Sequence, residues 1–140
     1  MTNPQKELLN ICQTMILPEE IQLPKDPTKL IEYDWIYISR YKFLTLDFIR
    51  HFQDKVYWKY ISIFQNLTED FIEEFQDKVN WKYICRYQKL SESFIRKHIN
   101  QIDWGIIPIY QKVSKEFVNE FFDKTDWWYA LVWKIGLKLN

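Results

Sequence analysis

Glycine is nearly absent from this chain, at two of 140 residues, Gly105 and Gly136. Tight strand turns draw on residues free to take positive φ, so a design of many short strands is poorly served. Cysteine is as scarce, and Cys12 and Cys85 build no disulfide framework. A reducing, cytoplasmic location is the expectation. His51 and His98 are the only imidazoles, and two His with two Cys in separate parts of the chain lack zinc-finger spacing. No run approaches the roughly 18 apolar residues of a membrane span. Nor does "MTNPQKELLN" read as a signal peptide, so no membrane contact is expected. Also missing are a Gly-rich phosphate loop, a nucleophile elbow and H-E-x-x-H. The carboxylates Glu69, Asp70, Glu73 and Glu74 lie on one expected helix, where an acidic start is ordinary. The chain is therefore expected to be no enzyme, with no catalytic residue, cofactor or metal.

What the chain has in plenty is aromatic side chains, 19% of its residues, within a hydrophobic share of 47%. That composition is incompatible with disorder over 35–135. The rings are periodic. Trp35, Trp58, Trp81, Trp104 and Trp127 stand 23 residues apart. Ile38, Ile61, Ile84 and Ile107 follow by three places, and Tyr41, Phe64, Tyr87, Tyr110 and Trp133 by six. Phe48, Phe71, Phe94 and Phe117 come at thirteen, each three places after Thr45, Thr68, Ser91 or Ser114. Columns in register define four full repeats over 35–126 and a truncated fifth from Trp127.

Each unit reads as two short helices. The Ser or Thr caps the second, as in "TEDFIEEF", and Phe71, Ile72, Phe75 and Val79 form its buried face. The first is expected to begin at the Trp, with Asp34, Asn80, Asp103 and Asp126 as caps, and to bury Trp58, Ile61, Phe64 and Gln65. The fold class is thus all-α: a short right-handed-type α-solenoid of two-helix, 23-residue repeats with capping ends, in one domain over 1–140. The alternative is a leucine-rich-repeat-like β/α solenoid with a strand at each Trp. Against it, Arg40 and Arg86 occupy the place of Ile63, which a buried strand would not accept.

The ends depart from the pattern. Residues 1–34 read as an N-terminal cap: a helix over 3–16 with Asn3 as its cap and Pro4 at its first position, a Pro-punctuated link, and "TKLIEYDW" as a shortened second helix. Residues 127–140 read as a partial fifth repeat and C-terminal cap. Its Trp128 and Trp133 are candidate homodimer contacts. Pro108 and Gly105 disturb the first helix of the fourth repeat. Cys85 fills the slot of Ser39, Ser62 and Pro108 as a small packing residue, and His98 replaces the ring of Phe52, Phe75 and Phe121.

Net charge is zero, but the repeats alternate: +2 for 35–57, −3 for 58–80, +3 for 81–103 and −1 for 104–126. On the outer face of the second helices Arg50 and His51 are followed by Glu73 and Glu74, then Arg96 and Lys97, then Asn119 and Glu120. These are expected to be neighbours in a ladder of exposed ion pairs that penalises a one-repeat slip. The first helices then leave another stripe facing out: Ile36, Lys59, Lys82, Gly105 and Trp128 one place after each Trp, Tyr37, Tyr60, Tyr83, Ile106 and Tyr129 two places after it, and Arg40, Ile63, Arg86, Ile109 and Val132 five places after it. Tyr and Arg are enriched at binding hot spots. The candidate partner-binding residues are Tyr37, Arg40, Tyr60, Ile63, Tyr83, Arg86, Ile109 and Tyr129.

The unit W-x-x-I-S-x-[YF]-Q-x-L-[ST]-x-x-F-I, with "FQDKV" between units, resembles the tandem aromatic repeats of proteins of phages and large DNA viruses. The resemblance implies a setting in a host cytoplasm rather than an activity. Within it, the expected role is a protein-binding scaffold, an adaptor or an anti-CRISPR-like inhibitor that occupies a host protein's surface. A nucleic-acid-binding helical repeat using the same residues is the alternative, opposed by zero net charge. A structural element of a larger assembly is the third reading.

Overall fold

The computed structural model describes residues 1–15, 22–40 and 43–121. Among them every regular element is helical and no strand occurs. α1 (Asn3–Thr14) and a 3-10 turn (Pro27–Lys29) lead to α2 (Glu32–Arg40), α3 (Leu46–His51), α4 (Trp58–Phe64) and α5 (Glu69–Glu74). Then come α6 (Trp81–Tyr87), α7 (Glu92–Lys97), α8 (Ile107–Tyr110) and α9 (Lys115–Glu120). The β/α alternative fails here, since the stretches it needed as strands are the helices α4 and α6.

Helices of six or seven residues do not persist alone, so local stops and tertiary packing must hold them. The second helices α3, α5, α7 and α9 start alike. The N–H groups of Phe48, Phe71, Phe94 and Phe117 donate to the hydroxyls of Thr45, Thr68, Ser91 and Ser114 at 3.1–3.2 Å. Behind each cap a Phe and its β-branched neighbour are buried, Phe48 with Ile49, Phe71 with Ile72, Phe94 with Ile95 and Phe117 with Val118. The Trp of each unit lies on that helix: Trp58 is 5.0 Å from Phe75, Trp81 5.1 Å from His98 and Trp104 4.8 Å from Phe121, ring centre to ring centre. His98 is the packed histidine its column predicts, with Nδ1 3.2 Å from Gln101 Oε1.

The joints between units are polar and buried. Gln88 Oε1 accepts from Leu67 N–H at 3.0 Å, and its Nε2 donates to the carbonyls of Ser62 and Gln65 at 2.9 and 2.8 Å. Gln111 repeats all three bonds one unit on, to Leu90, Cys85 and Gln88. Gln65 accepts from Leu44 and donates to Ser39. One amide side chain thus satisfies three backbone groups that burial would otherwise leave unpaired. A second joint is the Ser column. Ser39 Oγ donates to Trp35 O and accepts from Tyr57 N–H at 2.8 Å; Ser62 does the same for Trp58 and Asn80. In Cys85 a thiol takes that place, accepting from Asp103 N–H at 3.4 Å.

Several expectations need correction. Phe64, Tyr87 and Tyr110 do not join the buried face; each is 48% exposed, while the Gln beside it goes inside. "TKLIEYDW" is no separate helix, because residues 32–34 belong to α2, and Asp34 sits within its first turn, accepting from Ile31 N–H at 2.9 Å. Thr2 rather than Asn3 caps α1, in a reciprocal box with Gln5. α8 begins at Ile107, so Pro108 occupies a first turn, where its missing N–H costs nothing, instead of a helix interior. α1 packs against α3, and Glu7 accepts from Thr45 N–H at 3.0 Å. Glu69 and Glu92 do the same for Ser91 and Ser114, so α1 holds the place of a preceding second helix.

Candidate functional site

The first helices pack side by side, α2 on α4, α4 on α6 and α6 on α8. The second helices α3, α5, α7 and α9 approach one another less closely, and long side chains span the gaps. Arg50 Nε lies 2.9 Å from Glu74, Arg96 2.8 Å from Glu120, and Lys97 pairs with Glu73. The ion-pair ladder is where the charge alternation puts it. Its hydrogen bonds act on ionisation in the expected sense: Lys97 holds the Glu73 carboxyl below its ordinary range, and Ser114 N–H does so for Glu92.

The exposed side of the first helices is built differently. Arg40 and Arg86 are exposed on it, Ile109 is 59% exposed, and Tyr37, Tyr60, Ile63 and Tyr83 are half-buried. Tyr129, Trp128 and Trp133 lie outside the described residues. The tyrosines are half-covered because rings and cations of the same face lie on them. The Arg40 guanidinium is 5.5 Å from the Tyr60 ring centre and 5.4 Å from that of Phe64. Arg86 lies over Tyr87 at 5.3 Å and over Tyr110 of the next unit at 4.9 Å. Lys59 Nζ reaches Tyr60 at 5.8 Å and Tyr83 at 5.9 Å. Cation–π contact orders these cations without neutralising them.

The assigned stripe therefore omitted part of the face. Phe64, Tyr87 and Tyr110 belong to it, as does Phe43, 88% exposed at a positive φ of 66°. That backbone region is uncommon for a bulky residue. Phe43, Arg40, Leu44, Phe64 and Asn66 line a notch of about 220 Å³. The charge pattern also gave a signal that pooling each unit concealed. The four stretches from Trp to cap, 35–45, 58–68, 81–91 and 104–114, hold seven cations and no acid. The four that follow, 46–57, 69–80, 92–103 and 115–126, hold thirteen acids and seven cations. Among the described residues, each ion pair is made within the latter set, and none engages Arg40, Lys59, Lys82, Arg86, Lys89 or Lys112.

Chemistry of other kinds finds little footing. Burial pushes the Cys85 thiol up to about 11 and raises Cys12 too, so neither is a thiolate nucleophile at neutral pH. No cluster of His, Cys, Asp and Glu able to hold a metal ion occurs among the described residues, and no helix there is long and apolar enough to cross a membrane. A cleft of about 440 Å³ lined by Leu30, Ile31, Glu32, Trp35, Asp54, Lys55, Val56 and Tyr57 has its one helix carboxylate, Glu32, engaged by the Tyr57 hydroxyl at 3.0 Å. Compared with protein families, with curated proteins and with solved structures, the chain matches none.

Proposed function

We propose that this protein is a non-enzymatic, protein-binding α-solenoid of two-helix repeats, capped by residues 1–34 at one end and by 127–140 at the other. It acts by occupying a partner's surface with the face of its first helices. The observation that carries the reading is the ring-and-guanidinium array on that face. Phe64, Tyr87 and Tyr110 each leave about half their surface to water, and contiguous exposed apolar surface of this kind marks interaction sites. The first helices pack more closely on one another than the second helices do, which supports reading theirs as the inner side of the stack, where solenoids gather long contacts. The resemblance to phage and viral repeats supports an adaptor or inhibitor acting on a host protein. A homodimer through Trp128 and Trp133 belongs to the same proposal.

The test is a nuclease-treated pull-down from cell lysate with wild type beside a Phe64→Ser, Tyr87→Ser, Tyr110→Ser variant of unchanged circular dichroism. Exposed rings can be replaced without emptying the core, so the variant is expected to fold and to lose a protein that wild type retains. Equal retention by both would remove the first-helix face from consideration. One observation favours nucleic acid as the second reading: the absence of any acid in the four Trp-to-cap stretches, since phosphate binding wants an uninterrupted basic track. That reading predicts retention that disappears with nuclease.

A further inference from the structure

We infer that the segment received by the first-helix face is an acidic one: a stretch of polypeptide in which carboxylates alternate with apolar side chains. The inference rests on the protein-binding reading above and specifies its partner's chemistry. Three features carry it. Arg40, Lys59, Lys82, Arg86, Lys89 and Lys112 lie in the acid-free Trp-to-cap stretches, and no ion pair among the described residues engages them, while Glu73, Glu74 and Glu120 are engaged along the second-helix row. The carboxylates of α2, Glu32 and Asp34, lie ahead of Trp35 and accept from the Tyr57 hydroxyl and Ile31 N–H. A face of one sign attracts and orients a ligand of the other.

The two arginines are also pre-positioned. Each guanidinium lies over two rings, which limits its rotation, and a planar fork held in place suits a carboxylate bidentately. Phosphate would satisfy the same fork, so the third feature decides. Along the column five places after each Trp the residues run Arg40, Ile63, Arg86, Ile109. Along that column a ligand meets cation, apolar, cation, apolar, with Lys59 and Lys82 beside it one place after their Trp. A nucleic acid carries one charge per nucleotide and has no reason to fit such a rhythm, whereas an amphipathic acidic segment does. The notch beside Arg40 agrees: its roughly 220 Å³ is below the ~300–1,000 Å³ of small-molecule sites. It has room for one apolar side chain next to the cation.

The experiment selects a random peptide library on the full chain, and then measures the winners and a poly-dT oligonucleotide by fluorescence anisotropy. The comparison proteins are Arg40→Ala with Arg86→Ala, and Phe64→Ser with Tyr87→Ser. Expected are peptides rich in Asp or Glu beside apolar residues, weakened about tenfold or more by the arginine variant and weakened further by salt. Peptides that depend on Phe64 and Tyr87 but carry no excess of acid would overturn the acidic inference and leave the protein-binding face standing. Poly-dT bound more tightly than any peptide, and lost with the arginines, would overturn it in favour of nucleic acid. Peptides indifferent to both variants would overturn the inference and the face together.

Discussion

The two rows of helices share one 23-residue period and use it for opposite ends. On the second-helix row charges meet complements on the neighbouring unit, Arg50 with Glu74, Lys97 with Glu73 and Arg96 with Glu120. On the first-helix row Arg40, Lys59 and Arg86 lie over rings, and no ion pair among the described residues engages them. Beneath both, buried Gln and Ser side chains close the backbone groups that the short helices leave open. The difference teaches where to look in a chain of zero net charge: toward the face that does not neutralise itself.

The comparison breaks most sharply in the interior. Gln88→Leu keeps bulk but strips partners from Leu67 N–H and from the carbonyls of Ser62 and Gln65. At about 1–3 kcal/mol for each unsatisfied buried group, partly relieved by relaxation, a loss of about 3–5 kcal/mol is expected in a urea titration. On the outer row, Glu120→Gln removes the carboxylate opposite Arg96, an exposed pair. The expected cost there is about 0.2–1 kcal/mol, shrinking as salt is added. A cost of the Gln88 class at Glu120, insensitive to salt, would erase the distinction between joint and ladder.

The smallest effect is the dependence on acid. Glu73 and Glu92 titrate lower in the fold than their ordinary 4.5, held by Lys97 and by Ser114 N–H respectively. The unfolded chain therefore binds protons first as pH falls. The stability these groups supply is complete above their ordinary value and declines as pH drops through the folded one. Melting temperature should fall gently as pH drops through and below the ordinary glutamate value of 4.5, and Glu92→Gln should flatten part of that slope.

Much of this was legible in the letters. The Ser and Thr caps, the Phe-Ile pairs, the packed His98 and the alternation of Arg50 and His51, Glu73 and Glu74, Arg96 and Lys97, Asn119 and Glu120 all follow from columns 23 apart. Phe64 was misread because hydrophobicity was allowed to outweigh helix geometry. At about 100° per residue, Ile61 and Gln65 fall within about 60° of Trp58, while Phe64 lies about 120° away. Gln65 belongs inside because it carries partners for the orphaned backbone, which a hydropathy reading cannot see. The acid-free Trp-to-cap stretches were missed because charge was summed over whole units, which hid that every acid of 35–126 lies after the cap. That α1 would take the place of a second helix was not readable. Glu7 imitates Glu69 and Glu92 without keeping their spacing in the chain.

The Gln joint is indifferent to which unit it joins, since Gln88 and Gln111 make the same three bonds to different neighbours. A chain assembled with such joints can gain or lose whole units by recombination without disturbing its interior. The surface is less permissive. Excising 58–80 would bring Lys97 to the place of Glu74 opposite Arg50, cation against cation. Growth by two units preserves the alternation of sign and growth by one reverses it, so the ladder acts as a parity check on a length that the core leaves free.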